Sequence, residues 1–249
     1  MTMLIQAETR DEAWVHATEY LIGNGETLNM ILEVIRPELG GKLSLTLKKQ
    51  LDELYAEENQ LSVNSVAETI FPAWQYKHNG TRGVYDYYLA EYKEWKKRMP
   101  QMWGTYAYRL IAKYNNANER INPLETMITK LRKTQDGDSP KYSSCYELSV
   151  YDTISDMKRL RNLACLMHLS FKLVDGDLNL TALYRNHDYR YKVPGNLLGL
   201  ARLQAFVANE VDLNIGNLVI HSTRAYLESG KGKKVLSKIL DKARSSADE

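Results

Sequence analysis

Cysteine and histidine are scarce in this chain of 249 residues, which limits the chemistry that the sequence can support. Its two cysteines, Cys145 and Cys165, do not make a disulfide framework, so a reducing cytoplasm fits better than an oxidising compartment. The five histidines lack the regular spacing of metal-binding motifs, so we expect no metal site.

Long apolar runs and an excess of one charge are also missing. No stretch of about 18 apolar residues is present, so no membrane span is expected. The N-terminus contains acidic residues early and has no apolar signal core. The net charge of +2 gives no electrostatic argument for nucleic-acid or membrane binding. The basic positions over 231–242 have the spacing of a solvated helix face.

What the sequence does contain is helices interleaved with strands. Apolar periodicity predicts helices at 11–22, 43–57, 63–71, 85–97, 124–133, 197–211 and 235–243. Strands are predicted at 28–35, 144–151 and 217–221, together with a hairpin centred on Asp175-Gly176. This alternation predicts an α/β or α+β fold, in which helices surround a mixed sheet, in a single domain over residues 1–249.

The hairpin places a thiol beside a cation. Folding at Asp175-Gly176 brings Cys165 and Arg185 opposite one another on neighbouring strands. A nearby guanidinium favours the thiolate, which is the reactive form of cysteine. The sequence therefore predicts a nucleophile next to an anion-binding group.

A series of motifs follows this cysteine in fixed order. Cys165 begins a strand, a turn follows at 174–176, residues 185–188 read Arg-Asn-His-Asp, and 194–196 read Pro-Gly-Asn at the start of a helix. The series resembles the thymidylate synthase family, including its pyrimidine-nucleotide hydroxymethylase branch, in which Arg-Ser-x-Asp and Pro-x-Asn motifs follow the catalytic cysteine. Upstream segments at 65–71, 104–110 and 122–131 are similar to that family too, so the resemblance covers roughly residues 60–228.

The resemblance implies a role for each matching residue. Cys165 would add to C6 of a pyrimidine, which makes C5 reactive towards the methylene group of 5,10-methylenetetrahydrofolate. Glu68 would move protons through ordered water, and Tyr106 would orient the water that removes the C5 proton. Asp188 would contact the pterin of the folate. Asn196 would pair with N3–H and O4 of uracil, because an amide has both a donor and an acceptor. Hydroxymethylases that act on cytosine carry an aspartate there, so the asparagine favours uracil.

The resemblance also implies a homodimer with several arginines around the substrate phosphate, and here the sequence departs from the pattern. Arg185 is retained, with Asn186 beside it as a second substrate contact, but Ile22 occupies the position of an N-terminal arginine. The two arginines that a second subunit provides have no counterpart near 143–145. Tyr226 occupies the place of a ribose-binding histidine and can still bond a sugar hydroxyl.

Three interpretations of function therefore stay open. The first is one-carbon transfer to C5 of a uracil-type nucleotide, either as methylation or as hydroxymethylation. Hydroxymethylation gains weight because the family's apolar tail, which excludes water, has no match here. The second is a non-catalytic paralogue that binds nucleotides or other proteins, because so few phosphate-binding arginines are retained. The third is an enzyme for a non-phosphorylated or unusually substituted pyrimidine, unless Lys141, Arg36 or Arg190 replaces those arginines.

Other conspicuous residues are interpreted as structural. Cys145 is expected to be structural, and His168 and His187 are expected to be surface or packing residues. The stripe of tyrosine and tryptophan over 85–95 is expected to lie in the core rather than to stack on bases.

Overall fold

Helices and strands alternate in the computed structural model, which describes residues 2–40, 44–100, 102–115, 117–140, 142, 144–227 and 231–245. The helices are α1 Arg10–Asn24, α2 Ser44–Glu57, α3 Val63–Glu68, α4 Ala73–Arg82, α5 Tyr88–Arg98, α6 Tyr106–Ile111, α7 Pro123–Gln135, α8 Thr153–Asp156, α9 Val193–Glu210 and α10 Lys231–Ser245. A π-helical turn over Gly83–Tyr87 joins α4 to α5. The strands are β1 Met3–Ala7, β2 Glu26–Val34, β3 Lys113–Tyr114, β4 Arg120–Ile121, β5 Glu147–Ser149, β6 Leu166–Val174, β7 Asp177–Tyr184, β8 His187–Asp188 and β9 Asn214–Tyr226.

Within the described part of the chain, the strands form a mixed sheet of seven strands and a separate β3–β4 pair. The order across the sheet is β1-β2-β9-β7-β6-β5, and β8 pairs with β9. Neighbours are parallel at β1–β2, β7–β9 and β8–β9, and antiparallel at β2–β9, β6–β7 and β5–β6. The predicted α/β architecture, with helices around a mixed sheet, is confirmed.

The main core lies on one face of this sheet. Leu32 on β2 and Ile220 on β9 are partners in register, and both are fully buried. Their neighbours Ile31 and Val219 point to the opposite face, because side chains alternate along a strand, and they are only half-buried. The helices α1 and α9 contact the sheet and each other, so the buried face is the one that they cover.

Two glycines let α9 approach α3 closely. A Cβ atom at Gly195 would lie 2.5 Å from the Cβ of Val66 and 2.7 Å from the carbonyl oxygen of Val63. A Cβ atom at Gly199, one helical turn later, would lie 2.8 Å from the carbonyl oxygen of Ala67. A side chain at either position would clash with backbone, so the spacing between the two helices depends on glycine.

A buried ion pair fixes α6 against α8. The guanidinium of Arg109 bonds both carboxylate oxygens of Asp156, one of them at 2.9 Å, and the Asp156 side chain is fully buried. Hydrogen bonding to this guanidinium lowers the pKa of Asp156. The pair holds the short helix that begins at Tyr106.

Several predicted elements have different bounds in the structure. The predicted helix at 63–71 is wrong beyond Glu68, because Pro72 disfavours helical backbone at the preceding residue and caps a new helix, α4. The predicted strand at 144–151 is confirmed only over Glu147–Ser149, and the strand at 217–221 is part of the longer β9. The elements that were not predicted are β1, β3, β4, β8, α4, α6, α8 and the π-helical turn, and residue 43 lies outside the described residues.

Candidate active site

A cavity of about 340 Å³ brings together most of the residues predicted for the site. Six of the eight line it: Tyr106, Cys165, Asn186, Asp188, Asn196 and Tyr226. Glu68 and Arg185 are not among the described residues that line the cavity.

The hairpin places Cys165 as predicted. Leu166 and Tyr184 are partners across β6 and β7. One residue beyond this pair, the Arg185 N–H donates a hydrogen bond of 2.9 Å to the carbonyl oxygen of Cys165. The turn residues Asp175 and Gly176 have φ angles of 51° and 90°, which is the left-handed geometry that a tight hairpin requires.

Burial opposes the electrostatic effect that Arg185 has on the Cys165 thiol. Burial raises the pKa of the Cys165 thiol, and the carboxylate of Asp188 raises it further. The cations of Arg185 and Lys192 lower the thiol pKa, but they do not outweigh burial. The guanidinium of Arg185 therefore favours the thiolate in direction, as expected, but burial outweighs it, so ionisation of the thiol needs a further contribution.

Tyr106 contacts the backbone of Cys165. The N–H of Cys165 donates to the Tyr106 hydroxyl oxygen over 3.3 Å, and this tyrosine is buried. Burial raises the pKa of Tyr106, so its hydroxyl keeps its proton at neutral pH. A neutral hydroxyl at this position can donate a hydrogen bond to a water molecule or to a substrate atom beside the thiol.

Arg185 directs its guanidinium towards the loop before β6. Its Nε donates to the carbonyl oxygen of Ala164 at 2.9 Å, and one terminal nitrogen donates to that of Leu163 at 3.4 Å. Next to it, the amide oxygen of Asn186 accepts a hydrogen bond of 3.0 Å from Arg224. Arg224 was not singled out in the sequence, and no motif there marks it, because the parallel pairing of β8 with β9 is what brings it beside Asn186.

Asn196 and His187 form a buried pair on the cavity wall. The amide nitrogen of Asn196 lies 2.9 Å from Nε2 of His187, and the other ring nitrogen lies 2.8 Å from the hydroxyl of Ser222. The imidazole stacks on Tyr184 with 3.9 Å between ring centroids. His187 is thus a packing residue, as predicted, but its contact with the base-reading candidate was missed. That contact joins β8 to α9, and no local sequence pattern reports it.

Asp188 both stabilises a backbone turn and lines the cavity. One of its carboxylate oxygens accepts hydrogen bonds from the backbone N–H groups of Arg190 and Tyr191, at 2.9 and 3.2 Å. These bonds form the turn that leads into α9, and the same residue lines the cavity. Tyr226 lines it from the end of β9, where the carbonyl oxygen of Tyr226 accepts from the Tyr189 N–H.

Glu68 is the last residue of α3, and it is not among the described residues that line the cavity. Its neighbours Val66 and Thr69 line the cavity. One carboxylate oxygen lies 3.3 Å from Arg202, and the other accepts from the backbone N–H of Trp74 at 3.4 Å. Burial raises the pKa of Glu68, although the Trp74 N–H and the Arg202 guanidinium oppose this shift.

Aromatic and apolar side chains form another part of the wall. Trp95, Trp103, Met102 and Leu61 all line the cavity, and the last two are also exposed at the surface. The prediction that the stripe over 85–95 lies in the core is confirmed for Leu89 and Tyr92 and is wrong for Trp95.

Arg36 and Arg190, two of the residues that could replace the missing arginines, are not among the described residues that line this cavity. Arg36 lies 4.0 Å from Glu38 at the surface, and Arg190 is buried in an ion pair with Glu58. Neither lines the cavity, whereas Lys192 does. Lys141 and residue 143 lie outside the described residues.

The described residues contain no group of three or more histidine, cysteine, aspartate or glutamate side chains able to hold a metal ion. No helix among them combines the length and apolar character needed to cross a membrane.

Comparison with known proteins gives a consistent result. The family described as "Thymidylate synthase" matches residues 44–246. A protein of Methanosarcina acetivorans named "Putative thymidylate synthase" is 30% identical over 123 residues, which are 49% of this chain and 52% of that protein, so the match spans about half of that relative's length. Proteins with the same name are 24% identical over 227 residues in Methanosarcina mazei (90% of this chain, 88% of the relative) and 40% identical over 76 residues in Methanothermobacter thermautotrophicus (30% and 32%). The chain belongs to the thymidylate synthase family.

Proposed function

We propose that this protein transfers a one-carbon unit from 5,10-methylenetetrahydrofolate to C5 of a uracil-type pyrimidine nucleotide. The observation that carries the proposal is that Cys165, Tyr106, Asp188 and Asn196 line one cavity. These four residues come from separate parts of the chain, and each belongs to a motif that resembles the family. Membership of the family supports a transferase of this general kind.

The first chemical step belongs to Cys165. Its thiolate forms a bond from sulfur to C6, and the electron pair of the C5–C6 double bond moves towards O4 and C5, so that C5 becomes the nucleophile. Because burial raises the pKa of the thiol, another group must accept the thiol proton to generate this thiolate. Glu68 is the proposed proton carrier, and its position off the wall means that it would act through water.

The remaining residues position the two substrates. The buried amide of Asn196 would pair with the base, Tyr226 with a sugar hydroxyl, and Arg185 and Asn186 with the phosphate side of the nucleotide. The pterin of the folate, which supplies the one-carbon unit, is flat and mostly apolar on its faces. Trp95 and the other apolar wall residues fit such a ring, and the Asp188 carboxylate can accept hydrogen bonds from its nitrogen atoms.

Exchange of tritium from C5 of dUMP or UMP tests the proposal most directly, because this exchange requires addition at C6 but not the folate. The parent protein should release tritium, and Cys165→Ala should release none. Cys145→Ala is the matched control, since this second cysteine does not line the cavity, and it should retain exchange. No release by the parent protein from either nucleotide would contradict the proposal.

The product with methylenetetrahydrofolate distinguishes the two possible reactions. Methylation ends with a hydride transfer that requires water to be excluded, whereas hydroxymethylation ends with the addition of water to the exocyclic methylene. Mass spectrometry of the nucleotide after incubation with dUMP, UMP, dCMP or CMP identifies a methyl or a hydroxymethyl group. The same assay with the nucleosides tests the third interpretation, an enzyme for non-phosphorylated pyrimidines.

A non-catalytic, nucleotide-binding paralogue is the second candidate. Two observations favour it: Arg185 already donates to two backbone carbonyls, and the pKa of the Cys165 thiol is raised rather than lowered. In that case dUMP should bind, as measured by calorimetry, while tritium release and product are both absent.

A homodimer is the proposed assembly. The sheet face opposite the main core carries Leu4, which is 62% exposed, with the half-buried Ile31 and Val219. Such a face can pair with the same face of a second copy. Light scattering should give twice the mass of the chain, and Ile31→Lys should reduce it to the monomer mass. A monomeric parent protein would contradict this assembly without affecting the chemistry.

A further inference from the structure

Four side chains form a continuous buried chain of hydrogen bonds that ends in the cavity. Asn196, His187, Ser222 and Tyr189 are joined in that order by contacts of 2.9, 2.8 and 3.2 Å. All four are nearly inaccessible to solvent: Asn196 is 3% exposed and His187 is 1% exposed. The proposed mechanism uses only the asparagine, and the other three residues have no role in it.

We propose that His187 fixes the orientation of the Asn196 amide and thereby determines whether the site accepts uracil or cytosine. This inference rests on the proposed function, in which Asn196 reads the base. His187 would act as a positioning residue, because it reaches the substrate only through the amide.

The two bases require opposite amide orientations. Uracil presents a donor at N3 and an acceptor at position 4, whereas cytosine presents an acceptor at N3 and a donor amino group at position 4. An asparagine can pair with either base, but changing from one to the other requires the amide to rotate by half a turn. A free asparagine would therefore discriminate poorly, and discrimination requires a neighbour that holds one orientation.

His187 can provide that restraint because its own position and protonation are restricted. The stack on Tyr184 is almost parallel, with 5° between the ring planes, so the imidazole cannot turn freely. Burial lowers the pKa of His187 to about 3, so the ring is neutral at physiological pH and has one donor and one acceptor nitrogen. If Nε2 carries the proton, the oxygen of the Asn196 amide must face it, and if Nε2 is unprotonated, the NH₂ group must face it.

Ser222, whose hydroxyl also bonds the hydroxyl of Tyr189, selects the tautomer of His187. If Ser222 accepts from the ring, Nε2 is the acceptor and the amide NH₂ of Asn196 faces it, as the structure has it. If Ser222 donates instead, Nε2 carries the proton and the amide must turn its oxygen towards the ring. One hydroxyl, two residues from the substrate, thus controls which edge of the amide faces the base.

The experiment measures selectivity between bases rather than activity alone. Dissociation constants for dUMP and dCMP are measured by calorimetry with Cys165→Ala protein, in which no reaction occurs, and then with His187→Gln added. A glutamine can offer either an oxygen or an NH₂ group to Asn196, so the restraint is lost while a hydrogen-bond partner is kept. In the parent, the fixed amide leaves two groups of dCMP unmatched, whereas the free amide of the variant can turn to match either base. The ratio of the dCMP constant to the dUMP constant should therefore fall by roughly tenfold or more.

Two further variants separate this role from a structural one. Tyr184→Phe keeps the stacked ring and removes only a buried hydroxyl for which no hydrogen-bond partner is present among the described residues, so its selectivity ratio should equal that of the parent. Ser222→Ala keeps His187 but removes the group that selects its tautomer, and it should also reduce the ratio. If His187→Gln does not fold, the selectivity ratio of Ser222→Ala tests the inference in its place.

The outcomes distinguish this inference from the proposed function. Selective binding by the parent that both His187→Gln and Ser222→Ala leave unchanged would overturn the inference and leave the function standing. Binding of both bases with equal affinity by the parent would also overturn it. Failure of the parent to bind either nucleotide would overturn both.

Discussion

Lowering the pH should destabilise this protein through one histidine, His187. Its imidazole is fully buried, and burial lowers its pKa from 6.5 to about 3. In the unfolded chain the same imidazole gains a proton below about pH 6.5. The unfolded state therefore binds more protons than the folded state between these two values, so the stabilising contribution is complete above pH 6.5 and is lost as the pH falls towards 3.

The size of the effect follows from the two pKa values. Between pH 7 and pH 5, this one group should remove about 2 kcal/mol from the free energy of unfolding, since each pH unit in this range costs about 1.4 kcal/mol. Urea unfolding at the two pH values measures the loss. His187→Gln, which cannot titrate, should lose about 2 kcal/mol less than the parent over the same interval, because the contribution of the carboxylates is common to both proteins.

The control is Tyr189→Phe, which removes a hydroxyl from the same buried chain without removing a group that titrates between pH 5 and 7. It should lower stability at both pH values and leave their difference as in the parent. If His187→Gln and the parent lose the same free energy between pH 7 and pH 5, then His187 is accessible to protons in the folded state, and the argument from its burial is refuted.

Three other predictions concern different parts of the molecule. Gly195→Ala should lower the free energy of unfolding by about 1–3 kcal/mol through overpacking, whereas Gly23→Ala, with open space around it in α1, should raise it by about 0.5–1 kcal/mol; urea unfolding measures both. Alkylation of Cys165 by iodoacetamide, followed by peptide mass spectrometry, should still accelerate at pH 9 because the thiol pKa is raised, and Asp188→Asn should shift the whole rate profile to lower pH. Asp156→Asn should cost about 3 kcal/mol or more, because it leaves the buried guanidinium of its partner without a counter-charge, and urea unfolding should show a large fall in the midpoint.

Local patterns explain why part of the site could be predicted. A hairpin needs only a turn sequence and two alternating strands, so Asp175-Gly176 was enough to place Cys165 opposite Arg185. The start of α9 is likewise marked by Pro194, which suits the first turn of a helix. Each of these features is encoded by residues close together in the sequence.

The parts that could not be predicted depend on contacts between distant segments. Whether burial or a neighbouring cation dominates the pKa of Cys165 depends on how many atoms surround the sulfur, which no spacing in the sequence reveals. Trp95 follows the same periodic stripe as the buried Leu89, yet it lines the cavity, because the stripe extends beyond the edge of the core. The contact between His187 and Asn196 belongs to the same class.

The first turn of α9 links the stability of the fold to the proposed reading of the base by Asn196. Gly195 lies against α3 with no room for a side chain, and Asn196, the next residue, lies on the cavity wall. Adjacent residues on a helix point in different directions, so a change that pushes α9 away from α3 also displaces the amide relative to His187. The close packing at the glycine therefore helps to hold the 2.9 Å contact that orients the amide. A protein that loses this glycine should lose selectivity between bases at temperatures where it is still folded.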